Sequence, residues 1–145
     1  MARTAEVSLR WRPEGEEGGG GGGGLVFEGR GAGRPPVLVD GNTRAATSPV
    51  ELLLLAAGTC AASDVVLILQ KMRVRLRSLD VGVRGTRREE EPRRYTAIHF
   101  RFDVAGAGAD EVKARRAIDL SLEKYCSVVA SLAPDIRITY DVALA

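Results

Sequence analysis

Ala5, Val7, Leu9 and Trp11 alternate with Glu6, Ser8 and Arg10, the two-residue period of a half-buried strand. Residues 18–24 are seven consecutive glycines, a tract that holds no fixed backbone cheaply and predicts a flexible hairpin loop. Residues 25–28 and 37–40 predict two more short strands, and Gly41-Asn42 a turn. Ser48-Pro49-Val50-Glu51 then starts a helix. Ser48 stands at the N-cap, Pro49 at the first helical position, and Glu51 completes a capping box.

That helix runs to about residue 71 or 73. Leu52 to Leu55, Ala56 and Ala57, then Val65 to Leu69, make it apolar around most of its circumference. Such a helix is enclosed by protein on several sides, and one small sheet covers one side only. A second subunit is the expected cover.

Leu79, Val81 and Val83 alternate as a fourth strand, and the charged stretch 87–94 with Pro92 connects it to the fifth. There Thr96, Ile98, Phe100, Phe102 and Val104 share one face, opposite His99, Arg101 and Asp103. A second helix is predicted from about Ala109-Asp110 to Leu132, with Ile118, Leu122, Tyr125, Val129 and Leu132 as its buried stripe. Pro134 ends it, and Ile136, Ile138, Tyr140, Val142 and Leu144 close the chain as a strand. The order β-β-β-α-β-β-α-β is that of an α+β domain with largely antiparallel pairing.

Length and composition narrow the classes. At 145 residues, with 45% hydrophobic and 28% charged positions, residues 1–145 are expected to form a single domain. Aromatics are only 5%, so the core falls to Val, Leu, Ile and Ala. A net charge of +2 argues against nucleic acid as partner. The start of the chain lacks the apolar stretch of a signal peptide, and no run is counted as reaching the ~18–20 apolar residues of a membrane span. A soluble, cytoplasmic protein with no membrane partner is the expectation.

The glycine tract has no Gly-Lys-Ser/Thr after it, and Gly29, Gly31 and Gly33 lack the strand and helix of a dinucleotide fingerprint. Two cysteines and the single His99 cannot fill a four-ligand zinc site, so neither metal nor other cofactor is expected.

The chemistry that is left lies with Cys60 and Cys126, one in each predicted helix. They are too few for a secreted disulfide scaffold. By spacing alone they are either small core hydrophobes or a reactive pair.

Ser48-Pro49-Val50-Glu51-Leu52-Leu53-Leu54 followed by Ala56-Ala57-Gly58-Thr59-Cys60 resembles the first-cysteine helix of the OsmC/Ohr superfamily. The segment from Leu120-Ser121-Leu122 through Tyr125-Cys126-Ser127-Val128 resembles its second-cysteine helix. The resemblance implies an intertwined OsmC-like homodimer whose long central helices pack between sheets. It also implies reduction of organic hydroperoxides, often of fatty-acid type, by a peroxidatic cysteine that matches Cys60 and a resolving cysteine that matches Cys126. An external thiol would recycle the pair.

A peroxidatic sulfur must ionise, and burial resists that. Cys60 lies about three turns beyond Pro49, too far for the helix dipole to act, so a cation is needed. In the family a Glu directly after the helix-starting Pro holds an Arg beside the thiolate. Here that place is Val50, and Glu51 sits one residue on, ~100° around the helix. Arg30, Arg34 and Arg44 are the candidate cations. The candidate site is therefore Cys60 and Cys126 with Glu51 and Arg44, Glu51 having its capping role as the competing assignment. Asp64, one turn after Cys60, pairs with Arg44 or Lys124 or else opposes the thiolate. Two other functions stay open: a non-peroxidatic OsmC-like protein that binds a small apolar or thiol ligand at the dimer interface, and a protein whose cysteines are inert.

Overall fold

The computed structural model describes residues 2–13 and 24–145 and forms two compact units, Met1–Leu53 and Leu54–Ala145. The loop expected over the glycine tract lies, but for Gly24, outside the described residues.

The first unit is an antiparallel sheet of β1 (Val7–Arg12), β2 (Val26–Gly31) and β3 (Val37–Asp40), in that order. Trp11 sits opposite Phe27, and Phe27 opposite Val39. The alternation of β1 is real, yet its apolar face is uncovered: Val7, Leu9 and Trp11 are 74%, 68% and 53% exposed. The expected half-buried strand is thus exposed along β1 among the described residues.

After β3 the chain turns around a buried carboxylate. Asp40 accepts hydrogen bonds from the backbone N–H groups of Asn42, Arg44 and Ala45 at 2.8, 3.0 and 2.8 Å. Those bonds, with Ala45 strongest, hold the Asp40 carboxyl below its ordinary value. They also order the loop that feeds the long helix α1 (Pro49–Lys71).

The second unit carries β4 (Arg75–Arg87), β5 (Tyr95–Ala107) and β6 (Arg137–Leu144). β4 and β5 are antiparallel, whereas β5 and β6 run parallel. A parallel neighbour needs a crossover, which the helical segment after β5 supplies. Ile98, Phe100, Phe102 and Val104 are fully or almost fully buried, as their alternation predicts. Ala57, Gly58, Ala61, Val65 and Leu69 form the buried stripe of α1. Its small residues matter: a Cβ on Gly58 would meet Cγ2 of Val83 at 2.8 Å, so helix and strand approach closely here.

Two expectations need correction. The helix after β5 is not continuous to Leu132. It consists of α2 (Glu111–Leu120), a π-helical turn over Ser121–Tyr125, a break at Cys126, and the short α3 (Ser127–Ala130). Asp110 caps α2 by accepting the Lys113 N–H at 2.8 Å, but the added residue of the π-turn shifts everything beyond it. Tyr125 therefore leaves the predicted stripe and is exposed.

Secondly, α1 is 23 residues long with a mean hydropathy of 2.2 over its most apolar window, which by length and composition suffices to cross a bilayer. Periodicity missed this because Gly58, Thr59 and Ser63 interrupt the apolar run without making it polar. Within one chain α1 leaves Leu53, Leu55 and Leu67 exposed.

Gly106 supplies a stability prediction. β4 carries a bulge between Leu76 and Ser78, where Leu76 pairs with Gly106. A Cβ at Gly106 would lie 2.3 Å from the Arg75 carbonyl oxygen and 2.8 Å from the Leu76 Cα. These are backbone atoms and cannot swing aside. Gly106→Ala is expected to destabilise the protein by about 1–3 kcal/mol, the scale of overpacking. Chemical denaturation of the two proteins measures it; equal midpoints would mean that the bulge relaxes freely.

Candidate active site

The capping box forms as its sequence requires. The Glu51 N–H donates to Oγ of Ser48 at 3.2 Å, while Oε1 of Glu51 accepts from the Ser48 N–H at 3.1 Å and its O–H at 2.8 Å. The Ser48 hydroxyl and then its N–H hold the Glu51 carboxyl below its ordinary value. Its hydrogen bonds are thus those of a helix cap.

Further along α1, Cys60 is half-buried, and Cys126 is buried at the break before α3. Sequence alone placed both inside buried helices. The structure differs on two points, since Cys60 keeps access to solvent and Cys126 sits where the helix is interrupted. Cys126 has extended backbone, ψ 100°, and its sulfur accepts the Val129 N–H at 3.5 Å as the cap of α3.

The two thiols are near enough to influence one another. Burial pushes the Cys126 thiol up from 9.0 to about 11; the neighbouring Cys60 side chain pushes the same way, and the N–H groups of Val129 and Val128 oppose both. Sequence spacing could not establish this proximity. Both are free thiols.

Around the pair, Asp64 takes neither of its expected partners. Its Oδ2 accepts the hydroxyl of Ser121 at 2.9 Å. Lys124 instead lies over the Tyr125 ring, 5.3 Å from the centroid. Ser121 was not singled out by sequence, although it belongs to the second-cysteine motif; its signal is the five-residue step to Cys126, which only a π-turn makes meaningful.

The candidate cations lie in the first unit. Arg30 pairs with Glu28, Arg34 donates its N–H to the Gly31 carbonyl at 3.0 Å, and the Arg44 backbone is held by Asp40. His99 bonds across the sheet to Thr139 and Asp141, at 2.7 and 3.1 Å, and takes no part in the thiol site. Among the described residues no cluster of His, Cys, Asp and Glu is fit to hold a metal ion.

The raised Cys126 value has a pH signature. The native state keeps the proton that the unfolded chain loses near 9.0, so the contribution is whole below that pH and is lost as pH rises through about 11. Wild type should therefore lose more stability than Cys126→Ala between pH 8.5 and pH 11, as roughly bracketed by those two values. Thermal melts of both proteins across that range measure the difference. Parallel curves would show that Cys126 is not held protonated.

The geometry defines a class: an α+β protein with one accessible and one buried thiol brought together from two helical segments. Residues 40–141 match the OsmC-like protein family, and the chain belongs to that family. It is 45% identical to Protein YhfA of Escherichia coli K12 over 117 residues, covering 80% of this chain and 87% of that one. The crystal structure of a protein from Aquifex aeolicus superposes with a TM-score of 0.81 at 27% identity, over 99% of each chain. The organic hydroperoxide resistance protein OhrB of Bacillus subtilis shares the fold, with a TM-score of 0.62 at 13% identity, over 97% of this chain and 98% of that one.

Proposed function

We propose that the protein is a thiol-dependent peroxidase that reduces organic hydroperoxides to alcohols, working as a cytoplasmic homodimer in defence against oxidative stress. The observation that carries this is the unequal pair: Cys60 accessible, Cys126 buried beside it and pushed up to about 11. A thiol held protonated does not compete for the peroxide, because the thiolate is the nucleophile. Cys60 is then the attacking sulfur.

Its thiolate forms an S–O bond as the O–O bond breaks, and the alkoxide leaves and is protonated to the alcohol. Cys60 is now a sulfenic acid. The Cys126 sulfur attacks it, the sulfenic hydroxyl departs as water with the Cys126 proton, and a disulfide results. An external thiol donates the two electrons that restore the pair. An arginine of the first unit, Arg44 foremost, is the cation proposed to favour the Cys60 thiolate, while Glu51 acts through the helix start.

The test is direct. Cumene hydroperoxide should consume both thiols of the chain and leave a Cys60–Cys126 disulfide, faster than hydrogen peroxide does. No thiol loss with either oxidant would reject the peroxidase. One observation favours the alternative of a non-peroxidatic ligand-binding protein: Val50 replaces the family's Glu, and the Glu51 carboxylate is engaged with Ser48. On that alternative an apolar ligand binds and the thiols persist.

A further inference from the structure

We infer that Ser121 is a positioning residue that sets the approach of the Cys126 thiol to Cys60. This rests on reading the two cysteines as a redox pair. Ser121 has no solvent exposure, and it is tied in two directions at once. Its hydroxyl donates to the Asp64 carboxylate at 2.9 Å, with the Ala61 carbonyl at 3.4 Å on the same side. Ala61 is the residue after Cys60, and Asp64 is one turn beyond it. The Ser121 backbone carbonyl, in turn, accepts the N–H of Cys126 at 2.7 Å.

One residue thus links the helical turn that carries Cys60 to the residue that carries the second thiol. The link depends on the π-turn. In an α-helix the Ser121 carbonyl would bond the residue four places on, Tyr125; the i to i+5 bond instead ends on Cys126. Beyond that bond the backbone leaves the helix, at φ −70° and ψ 100°, and the freed thiol turns to cap α3. A continuous helix would carry Cys126 past this position, about 100° further round for each residue of register. A π-turn is rare and sits often at functional sites, and here its hydrogen bond holds the second sulfur in place.

Asp64 is the acceptor that fixes the Ser121 hydroxyl, so it shares the role at one remove. A carboxylate near the attacking thiolate is unfavourable electrostatically, and its engagement by Ser121 gives it another function.

Equilibrating the protein in glutathione redox buffers measures the proximity of the thiols without peroxide. Oxidised glutathione takes two electrons from Cys60 and Cys126, forming the disulfide and two reduced glutathiones. Ser121→Ala is expected to lower that equilibrium constant about tenfold, the scale of one lost buried hydrogen bond and a displaced partner. Asp64→Ala should lower it in the same direction, and Asp64→Asn, which keeps an acceptor oxygen, should restore it. A purely structural role would lower the melting temperatures of reduced and oxidised protein alike and leave the constant unchanged.

With cumene hydroperoxide, Ser121→Ala should form the Cys60 sulfenic acid at the wild-type rate and hold it about tenfold longer. Should Ser121→Ala fail to fold, the half-buried Asp64 variants carry the test. Wild-type constants in Ser121→Ala and Asp64→Ala would overturn the inference, whatever peroxide does. If peroxide leaves wild-type Cys60 untouched while the glutathione constants fall in the variants, the peroxidase is wrong and the positioning role stands.

Discussion

Cys60→Ser is expected to abolish even the first turnover with an organic hydroperoxide, whereas Cys126→Ser completes one turnover and stops. The asymmetry follows from exposure and charge. Cys60 is accessible, and a serine hydroxyl in its place is no nucleophile toward a peroxide. Cys126 enters only after the O–O bond has broken, so its loss leaves a Cys60 sulfenic acid with no thiol to condense it. Excess peroxide should then carry Cys60 on to sulfinic acid, which the wild type avoids by forming its disulfide. Arg44→Ala should slow the first turnover without blocking it, and Glu51→Ala should cost stability more than rate, since its carboxylate serves the helix start. Single-turnover mass spectrometry with a sulfenic-acid trap reads all four variants. A sulfenic acid trapped on Cys126 of the Cys60→Ser protein would reverse the roles, and two variants as reactive as wild type would leave both cysteines inert.

The features legible in the sequence are those governed by local periodicity or a local hydrogen bond. The strand pattern from Ile98 to Val104 reports its own burial, because alternate residues must face opposite sides of a sheet. Ser48, Pro49 and Glu51 spell a capping box that closes as expected. The second-cysteine segment was legible as a motif and illegible as a shape. The π-turn over Ser121–Tyr125 adds one residue to a helical period, and the helical pattern of Ile118, Leu122, Tyr125 and Val129 hides it. Its cause is tertiary: the Ser121 hydroxyl reaches Asp64, 57 residues away. The proximity of Cys60 and Cys126 is tertiary in the same way. Asp40, which organises the loop before α1, reads in the sequence as no more than the last residue of a short strand. Its three bonds to Asn42, Arg44 and Ala45 show themselves only once the loop is closed.

The intact protein is expected to be a homodimer, and Leu53→Asp combined with Leu67→Asp is expected to destroy it. Leu53, Cys60 and Leu67 fall seven apart on α1, close to two turns, so they share one face of the helix. Leu53 and Leu67 are 39% and 57% exposed, and Leu55, on another side, is 55% exposed. Burying one leucine side chain contributes about 1.5–3 kcal/mol, so a helix with three uncovered leucines favours association strongly. The length and hydropathy of α1 would also suit a bilayer, but Asp64, in the middle of the helix and hydrogen-bonded to Ser121, argues for a protein cover. The cover that buries Leu53 and Leu67 would also wall the accessible side of Cys60 with apolar surface. That is the setting in which an organic hydroperoxide is preferred over hydrogen peroxide. Light scattering at micromolar concentration should therefore give twice the chain mass for wild type. The double aspartate variant should give single chains or aggregate, and lose its preference for cumene hydroperoxide. A folded wild-type monomer, or a double variant that stays dimeric, would mean that these leucines face solvent in the working protein.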